Sequence, residues 1–270
     1  MPSRRNTLRW NPRRVAIATG VVASTLTVVA VALGAPPMMT VHTGAKLRIL
    51  NPTPNNVVTA NSVPTAVSIS NFKLNCEYAG TANRKAIGHY HVELDHSLIN
   101  MFCSPKGHVS MLDVAPGKHT LSFIPAANDH ADDMGATKKV SFVYKPAHAL
   151  PAAKPLHFAG KPTVEIVSPK NGATVHGGFD FVVATKNFKL SCDLYGKANV
   201  AGYGHWHANV DSSTMGMMGM ATMLGMSCGK SFHVSLAGIK PGAHRFIAIL
   251  EDNTHAPTIG VQASVNVTVK

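Results

Sequence analysis

The sequence predicts an all-β protein with two tandem β-sandwich domains, which follow a single N-terminal transmembrane helix. Three observations lead to this prediction. A basic segment and a long uncharged apolar run stand at the N-terminus. The rest of the chain alternates short β-type runs with turn residues, and it contains the same ordered set of motifs twice. Each repeat, of about a hundred residues, is long enough to bury a core of its own.

The N-terminal segment has the pattern of a signal anchor. Five arginines lie within residues 1–14, and residues 15–33 contain no charge. A run of that length can span a bilayer and is longer than the apolar core of most cleaved signal peptides. The arginines on one side predict a cytoplasmic segment at residues 1–14 and a body exported across the cell membrane. A small-residue pattern at residues 30–32 leaves signal cleavage and secretion as the alternative.

The exported part divides into two repeats and two linkers. After a linker at residues 34–45, the first repeat covers residues 46–144 and the second covers residues 163–270. Between them, residues 145–162 are rich in proline and alanine, a composition typical of a semi-extended spacer. Six β-type runs are recognisable in the second repeat, at residues 164–167, 179–185, 205–211, 232–236, 243–250 and 263–269. That density of short strands favours an immunoglobulin-like or cupredoxin-like sandwich.

A Gly-His-x-His tetrapeptide is the most distinctive motif of each repeat. It occurs at residues 88–91 and again at residues 204–207. If the tetrapeptide lies in a β-strand, its two histidines point to one face, with Cα atoms roughly 7 Å apart. Two imidazoles at this spacing can share one metal ion. The tetrapeptide therefore predicts a binding site in each domain.

Ten of the fifteen histidines recur at matching positions of the two repeats. Neutral imidazole is a common ligand of transition metals. We therefore predict a metal site in each repeat, formed by the Gly-His-x-His pair and a loop histidine, His130 or His255. The full set of predicted histidine ligands is His89, His91, His108, His130, His205, His207, His233 and His255. The alternative is that these rings are structural hydrogen-bonding residues.

Two further matched pairs are assigned supporting roles. His119 and His244 share strand parity with apolar residues, which predicts that their rings face the core as structural residues. Asp95 and Asp211 share a strand face with the histidine pairs, so we predict that each orients an imidazole through a hydrogen bond.

Each repeat contains two cysteines at matching positions. In an exported protein such pairs favour disulfides within each domain, Cys76–Cys103 and Cys192–Cys228. A disulfide that closes a loop of this length would stabilise the fold by roughly 3–4 kcal/mol on the chain-entropy model. The competing interpretation is a thiolate metal ligand, as in blue-copper sites with two histidines and one cysteine.

The second repeat has an insertion rich in methionine at residues 215–226. Thioethers are soft ligands that favour Cu(I) over zinc, calcium or magnesium, so Met217, Met220 and Met223 are predicted as further copper ligands. Because glycines separate the methionines, we predict that the segment is a loop and contributes little to the core. Other interpretations are an apolar loop that docks on a partner or membrane, and a sacrificial oxidisable surface.

Charge and motif content exclude several classes of function. The chain has 25 basic and 13 acidic residues, but its lysines are scattered and form no stripe with aromatic residues, which argues against nucleic-acid binding. A solvated basic surface of this kind suits anionic lipids or cell-wall polymers. The common motifs of serine hydrolases, zinc proteases and phosphate-binding loops do not occur. The sequence therefore predicts a protein that is not an enzyme.

The two repeats resemble a family of uncharacterised exported bacterial β-sandwich domains. The resemblance rests on three motifs in a fixed order: Gly-His-x-His, Pro-Gly-x-His at residues 116–119 and 241–244, and a loop of the Asn/Asp-x-x-His type, represented by Asn128-Asp129-His130 in the first repeat and residues 252–255 in the second. It implies a β-sandwich outside the cytoplasm and no settled activity. This chain departs from the family in its paired cysteines and its methionine-rich insertion. The Gly-His-x-His strand is also similar to the copper strand of copper–zinc superoxide dismutases, which leaves a dismutase-like redox activity as an alternative.

The function predicted from the sequence is that of an exported, membrane-anchored protein that binds a transition metal, with copper preferred. The membrane is a partner through residues 15–33, and a cell-wall or surface component is a further predicted partner. The alternative is a non-enzymatic structural or adhesive module of the cell surface whose histidines are structural.

Overall fold

The computed structural model of the chain describes residues 41–213 and 221–270. The predicted cytoplasmic segment and transmembrane helix, residues 1–33, lie outside the described residues, as do two predicted copper ligands, Met217 and Met220. Within the described residues, no helix is both long and apolar enough to cross a membrane. The described part is all-β apart from one short 3-10 helix, which confirms the all-β part of the predicted fold class.

Short strands form in each repeat because β-branched and aromatic residues alternate with polar ones between turns that contain glycine or proline. The first repeat contains nine strands: β1 Lys46–Asn51, β2 Val57–Val58, β3 Ser62–Ser70, β4 Lys73–Leu74, β5 Ile87–Leu94, β6 Ser97–Phe102, β7 Lys106–Ser110, β8 Gly117–Ala126 and β9 Lys138–Tyr144. The 3-10 helix, Met134–Ala136, precedes β9.

The second repeat contains nine corresponding strands in its described residues. They are β10 Thr163–Ser168, β11 Thr174–Val175, β12 Phe179–Lys186, β13 Lys189–Leu190, β14 Tyr203–Val210, β15 Met223–Ser227, β16 Ser231–Val234, β17 Gly242–Glu251 and β18 Pro257–Val269. The six runs recognised in the sequence correspond to β10, β12, β14, β16, β17 and β18. Two of the strands missed in the sequence, β11 and β13, are only two residues long.

The third missed strand, β15, corrects the prediction for the methionine-rich insertion. The end of this segment was predicted to be a loop, but from Met223 onward it pairs with β14. Pairing satisfies the hydrogen-bonding groups of the backbone, and the Met223 side chain is buried, with 2% exposure. The prediction that these methionines contribute little to the core is therefore wrong for Met223.

Both repeats have the same sheet topology. A three-stranded sheet has the order β1-β3-β7 in the first repeat and β10-β12-β16 in the second. A six-stranded sheet has the order β2-β9-β8-β5-β4 in the first repeat and β11-β18-β17-β14-β13 in the second, with β6 pairing with β5 and β15 with β14. The Gly-His-x-His tetrapeptides lie in β5 and β14, which have neighbours on both sides. The chain is therefore a tandem β-sandwich repeat, as the sequence predicts.

One apolar core lies between the two sheets of each repeat. Tyr90 and Val92 of β5 point into the first core, and Trp206 and Ala208 of β14 take the matching positions in the second. Because side chains alternate along a strand, the histidines of both tetrapeptides point to the opposite face of the sheet.

The face that carries the histidines is covered by the other repeat. Tyr195 of the second repeat packs into the core cluster of the first, and Lys197 Nζ donates a hydrogen bond to the carbonyl of Ser110 at 2.8 Å. Ile124, which pairs with His91, is 2% exposed although it lies outside the first core cluster. We refer to this contact between the two sandwiches as the junction. The triad-forming histidines of the first repeat are therefore buried, whereas those of the second repeat are buried or partly buried.

Both predicted disulfides are present. Cys76 and Cys103 are bonded with their Cα atoms 5.4 Å apart, and Cys192 and Cys228 with theirs 5.3 Å apart. The described residues contain no free cysteine. The competing interpretation of a thiolate metal ligand is therefore wrong for this oxidised chain.

Candidate metal centres

Three histidines converge in the first repeat. Nε2 of His89 lies 3.1 Å from Nε2 of His91 and 3.0 Å from Nδ1 of His130, and the last two nitrogens are 3.4 Å apart. Around a tetrahedral ion bound at about 2.0–2.1 Å, neighbouring ligand atoms are about 3.3 Å apart. One ion therefore fits against this triangle of nitrogens. We call these three residues the first triad.

The second repeat repeats this arrangement. Nε2 of His205 lies 3.0 Å from Nε2 of His207 and 3.0 Å from Nδ1 of His255. These residues form the second triad, and their ligand atoms all lie within 4.8 Å of one another. In each triad the strand contributes two Nε2 atoms and the loop contributes one Nδ1 atom. The two repeats therefore present the same donor set.

The first residue of the tetrapeptide explains how the loop histidine reaches the strand pair. A Cβ atom at Gly88 would collide with the carbonyl oxygen of Ala126, and one at Gly204 would collide with that of Glu251. Only glycine allows the ends of β8 and β17 to lie this close to β5 and β14. The loops that follow β8 and β17 therefore begin beside the strand histidines.

Both loop histidines have an unusual backbone conformation. The φ angle is 62° at His130 and 60° at His255, in the left-handed region that costs a residue with a side chain roughly 1 kcal/mol or more. In each loop an aspartate side chain, that of Asp129 or Asp252, accepts hydrogen bonds from backbone N–H groups of the same turn. The same strained position in both repeats indicates that the placement of this imidazole matters to the protein.

Hydrogen bonds on the outer side of the first triad set its tautomers. Nε2 of His130 donates to the carbonyl of Met223 at 2.7 Å, and Nδ1 of His91 donates to the carboxylate of Asp132 at 2.7 Å. Because the acceptors take the proton-bearing nitrogens, the inner nitrogens present lone pairs to the centre. Outer hydrogen bonds of this kind typically support histidines that bind metals.

The second triad has looser support. Nε2 of His255 donates to the carbonyl of Leu98 at 2.9 Å, but Nδ1 of His207 lies 3.8 Å from Oε1 of Glu251, beyond a hydrogen bond. Burial, with a smaller contribution from Asp252, raises the pKa of Glu251 to about 8. The Glu251 carboxyl is therefore mostly neutral at pH 7, which makes it a weaker partner than Asp132.

The remaining histidine of each triad, His89 or His205, has one ring nitrogen without a hydrogen-bond partner among the described residues. In both rings this nitrogen is Nδ1, and it is buried. Without a metal, the His89 proton can lie on Nε2, where it is donated to the lone pairs of His91 and His130. A metal ion would take the place of that proton at the centre, and the proton would then lie on Nδ1 of the same ring. The donor set therefore fits a cation at the centre of the triad.

Burial keeps five of the six triad histidines neutral at pH 7. It is the main cause that lowers the pKa of His130 to about 3, with His91 adding to the effect. Burial also places the pKa of His89 and His205 well below the usual value and lowers that of His255. Neutral imidazoles are the form that binds metal, so acid does not compete at neutral pH.

The two triads lie close to each other across the junction. Burial lowers the pKa of His207 to about 3, and both His255 of its own triad and His130 of the first triad contribute. In the same way, His91 of the first triad contributes to the lowered pKa of His255. A charge on one triad therefore affects the pKa of histidines in the other triad.

Two predicted ligands lie outside both triads. His108 is on β7 and His233 on β16, strands of the three-stranded sheets, whereas the triads lie on the six-stranded sheets. The His233 side chain is 67% exposed and its Nδ1 lies 2.9 Å from Oδ1 of Asp180, which is similarly exposed. The structure does not bring these histidines to a metal centre.

Among the predicted methionine ligands, Met223 is the one within the described residues. It lies in β15, and its hydrogen bond with the first triad uses the backbone carbonyl, which accepts from His130. Its position therefore connects the methionine-rich insertion to the junction through the main chain.

The predicted supporting aspartates orient different histidines from those expected. Oδ2 of Asp95 accepts from Nδ1 of His119 at 2.6 Å, and Oδ2 of Asp211 accepts from Nδ1 of His244 at 2.7 Å. The other nitrogen of each ring is bonded to a backbone carbonyl. The strand alternation fails here because β5 ends at Leu94 and Asp95 turns with a φ of 51°. Both ring nitrogens of His119 and of His244 therefore have oxygen partners, and their structural role stays a prediction.

Two carboxyl groups beside the triads were not predicted from the sequence. Asp132 follows the loop histidine by two residues, and Glu251 ends the strand before the second loop. Neither has an acidic counterpart in the other repeat, where Pro257 and Ala126 stand. Residues that occur in one repeat only are not identified by comparing the repeats, although their closeness to the loop histidine in sequence is a usable signal.

No protein-family model and no curated protein matches the chain. Among solved structures, it is similar to the fibronectin(III)-like modules of CbhA from Clostridium thermocellum, with 13% identity, 83% of this chain and 94% of that chain covered, and a TM-score of 0.27. A tetra-tandem repeat from the extending region of a large adhesion protein matches with 11% identity and a TM-score of 0.23, covering 84% of this chain and 49% of that one. The endo-beta-1,4-mannanase from Thermotoga petrophila matches with 12% identity and a TM-score of 0.26, covering 42% of this chain and 21% of that one. At these TM-scores the matches carry no conclusion about function.

Proposed function

We propose that this protein binds transition-metal ions, one at each histidine triad, and that it prefers copper. The supporting observation is the convergence of three buried imidazole nitrogens at 3.0–3.4 Å in the first triad, repeated at the same residues of the second. Burying three rings with their lone pairs directed at one point is costly unless a cation or a proton lies there. The ligands are His89, His91 and His130 in one centre and His205, His207 and His255 in the other.

The preference for copper rests on ligand chemistry. Imidazole alone suits zinc, copper, iron and nickel, so the donor set of the triads does not choose among them. The last residues of the methionine-rich insertion, residues 223–226, belong to β15, which pairs with the histidine strand β14. Met226 is the pairing partner of His207. Soft thioethers in this position favour Cu(I), and the second centre is therefore the one we expect to prefer copper more strongly.

The cellular setting is part of the same proposal. Two disulfides are typical of proteins that fold outside the cytoplasm. The arginine-rich segment and uncharged run of residues 1–33 support an anchor in the cell membrane with an exported body, or a secreted protein if the segment is cleaved. We extend the proposal to membership of the exported bacterial domain family that the motifs resemble, and to a cell-wall or surface partner. A dismutase-like activity has no support beyond the similarity of one strand.

A metal titration of the full chain, purified in detergent, tests the binding proposal. With ascorbate as reductant and a chromogenic chelator as competitor, we expect two Cu(I) ions per chain. The double variants His89→Ala/His91→Ala and His205→Ala/His207→Ala should each reduce this to one ion. His233→Ala is the matched control and should leave two ions, because its ring is exposed and remote from the triads' sheets. Binding weaker than micromolar, or unchanged in both double variants, would reject the proposal.

The second candidate function is a structural or adhesive surface module. It is supported by His119 and His244, whose rings serve as hydrogen-bonding posts without any metal. If the triads serve the same purpose, His205→Ala should lower the melting temperature in metal-free buffer and leave metal uptake unchanged. The same titration therefore distinguishes the two functions.

A further inference from the structure

Each triad is held in place by the opposite repeat. His130 belongs to the first repeat, but its Nε2 donates to the carbonyl of Met223 in the second. His255 belongs to the second repeat, but its Nε2 donates to the carbonyl of Leu98 in the first. These two hydrogen bonds occupy equivalent positions in the two repeats, and both cross the junction. Each sandwich therefore positions the loop histidine of the other.

The two carbonyls lie on strands next to the triads. Met223 is in β15, which pairs with β14, and Leu98 is in β6, which pairs with β5. Each acceptor strand therefore lies beside the histidine strand of its own repeat, and its carbonyl accepts from the loop histidine of the other repeat. A displacement of one sandwich relative to the other would therefore disturb the loop histidines of both triads at once.

A pair of matched glycines lets the two repeats approach this closely. A Cβ atom at Gly80 would lie 2.6 Å from the carbonyl carbon of Met223, and one at Gly196 would collide with the carbonyl oxygen of Leu98. Both glycines are in the left-handed region, with φ angles of 72° and 64°. The contacts at the two acceptor carbonyls are thus tight on both sides of the junction.

We propose that each metal centre is completed by the opposite repeat, so that metal binding and docking of the two sandwiches are thermodynamically linked. This inference rests on the proposed metal binding. The carbonyl of Met223 keeps the proton of His130 on Nε2 and its Nδ1 lone pair directed at the first centre, and the carbonyl of Leu98 does the same for His255 at the second. Met223 and Leu98 act as positioning residues through their main chains.

The linkage follows from the chemistry of a ligating imidazole. A metal ion on Nδ1 withdraws electrons from the ring, so the N–H on Nε2 becomes a stronger donor to the carbonyl. In the other direction, a hydrogen bond on the outer nitrogen raises ligand basicity and fixes the ring, and its loss typically lowers metal affinity by about 10–100-fold. Reciprocity requires that the metal stabilise the junction by the same factor.

A glycine substitution at the junction tests this directly. In the full chain, the double variant His89→Ala/His91→Ala removes the first centre, so the Cu(I) affinity measured is that of the second centre. On that background, Gly196→Ala should weaken Cu(I) binding by about 10–100-fold, because the added Cβ displaces the carbonyl that holds His255. Gly172→Ala is the matched control: its φ angle is 81°, but a Cβ atom there meets nothing within 4 Å. It should leave the affinity unchanged.

A second variant covers the case in which Gly196→Ala fails to fold. Lys197→Met removes the hydrogen bond from Nζ to the carbonyl of Ser110 across the junction, together with the one to the carbonyl of Asp193 within the second repeat, and adds no steric conflict. Loss of the one hydrogen bond that crosses the junction predicts a decrease in Cu(I) affinity of about twofold to tenfold. Cu(I) should also raise the melting temperature of this variant less than that of its parent.

The outcomes separate this inference from the proposed function. A wild-type chain that binds no Cu(I) overturns the proposed function. A wild-type chain that binds Cu(I), together with folded Gly196→Ala and Lys197→Met variants that bind as tightly as Gly172→Ala, overturns the linkage and leaves the metal sites intact. Weakened binding in the junction variants, with the control unchanged, supports the linkage.

Discussion

Histidine occupies three kinds of environment in this chain, and the partners of its ring nitrogens distinguish them. His233 is exposed and meets one exposed carboxylate. His119 is mostly buried, with both nitrogens bonded to oxygen atoms. His89 has one nitrogen directed at two other imidazoles and the other without a described partner. Only the last environment calls for a cation, so the count of histidines alone overstates the number of ligands.

Replacing a structural histidine should affect stability and leave metal uptake intact. His119→Ala removes two hydrogen bonds, one to Asp95 and one to the carbonyl of Ala115, so we expect a loss of about 1–3 kcal/mol in the free energy of unfolding. Urea denaturation measures this loss. The Cu(I) stoichiometry of the variant should stay at two ions. A lost ion would place His119 in the metal centre and contradict this assignment.

Individual site residues were predictable where a local pattern determines them. The spacing of His89 and His91 within a strand is enough to place both rings on one face. The pairing of Asp95 with His119 was not predictable, because it depends on where β5 ends and turns. Asp132 and Glu251 were missed because each occurs in one repeat only.

The histidine strands β5 and β14 are unusual elements because both of their faces are buried. One face carries core residues such as Tyr90, and the other carries the triad histidines under the opposite repeat. An alternating pattern normally predicts one buried and one solvated face. The sequence pattern of β5 therefore predicted the strand correctly, but it could not show that a second sandwich covers the polar face.

Adding a side chain to the glycine that begins the tetrapeptide should separate the two strands that position a triad. Gly88→Ala forces the end of β8 away from β5, so we expect a loss of about 1–3 kcal/mol of stability and weaker Cu(I) binding at the first triad. Binding at the second triad should decrease less. Gly229→Ala is a suitable control because a Cβ atom there has ordinary contacts, the nearest at 3.6 Å. Equal behaviour of the two variants would show that the close approach at Gly88 is dispensable.

Element by element, the longer strands were the predictable ones. Runs such as Phe179–Lys186 have enough alternating apolar residues to be recognised alone. The two-residue strands β11 and β13 exist only because a neighbouring strand offers hydrogen bonds. For β15, glycine and methionine suggest a loop, and pairing with β14 overrides that local preference.

At the scale of the whole molecule, the triads make the metal-free fold sensitive to acid. Five histidines have a pKa in the folded chain below the usual value, namely His89, His130, His205, His207 and His255. The unfolded chain protonates them near pH 6.5, whereas the folded chain protonates them only at lower pH. The stability that the neutral rings contribute is therefore complete above pH 6.5 and is lost as the pH falls, towards about pH 3 for His130 and His207.

Glu251 acts in the opposite direction. Its pKa is raised to about 8 in the folded chain, so it stabilises the fold below the unfolded value of 4.5 and loses that contribution as the pH rises to 8. Together these groups predict a maximum of metal-free stability near pH 6.5. Below it, each of the five histidines should contribute a decrease of up to about 1.4 kcal/mol per pH unit.

Chemical denaturation of the metal-free chain between pH 4 and pH 8 measures this profile. His207→Asn should reduce the acid slope by about 1.4 kcal/mol per pH unit, because it removes one of the five groups. His233→Asn is the control and should keep the slope, since its ring is exposed. A stability that is constant from pH 7 to pH 4 would show that the triads are not buried as neutral rings.

The junction also has consequences for the rate at which an ion could enter or leave. The first triad is nearly inaccessible to water, with exposures of 0% for His89, 3% for His91 and 4% for His130, whereas His207 and His255 of the second triad are only partly buried. An ion in the first triad could exchange only when the two sandwiches move apart, so a protein motion would set its residence time. The second triad is closer to solvent and would exchange faster. One chain would then contain one centre that exchanges its metal ion slowly and one that exchanges it quickly.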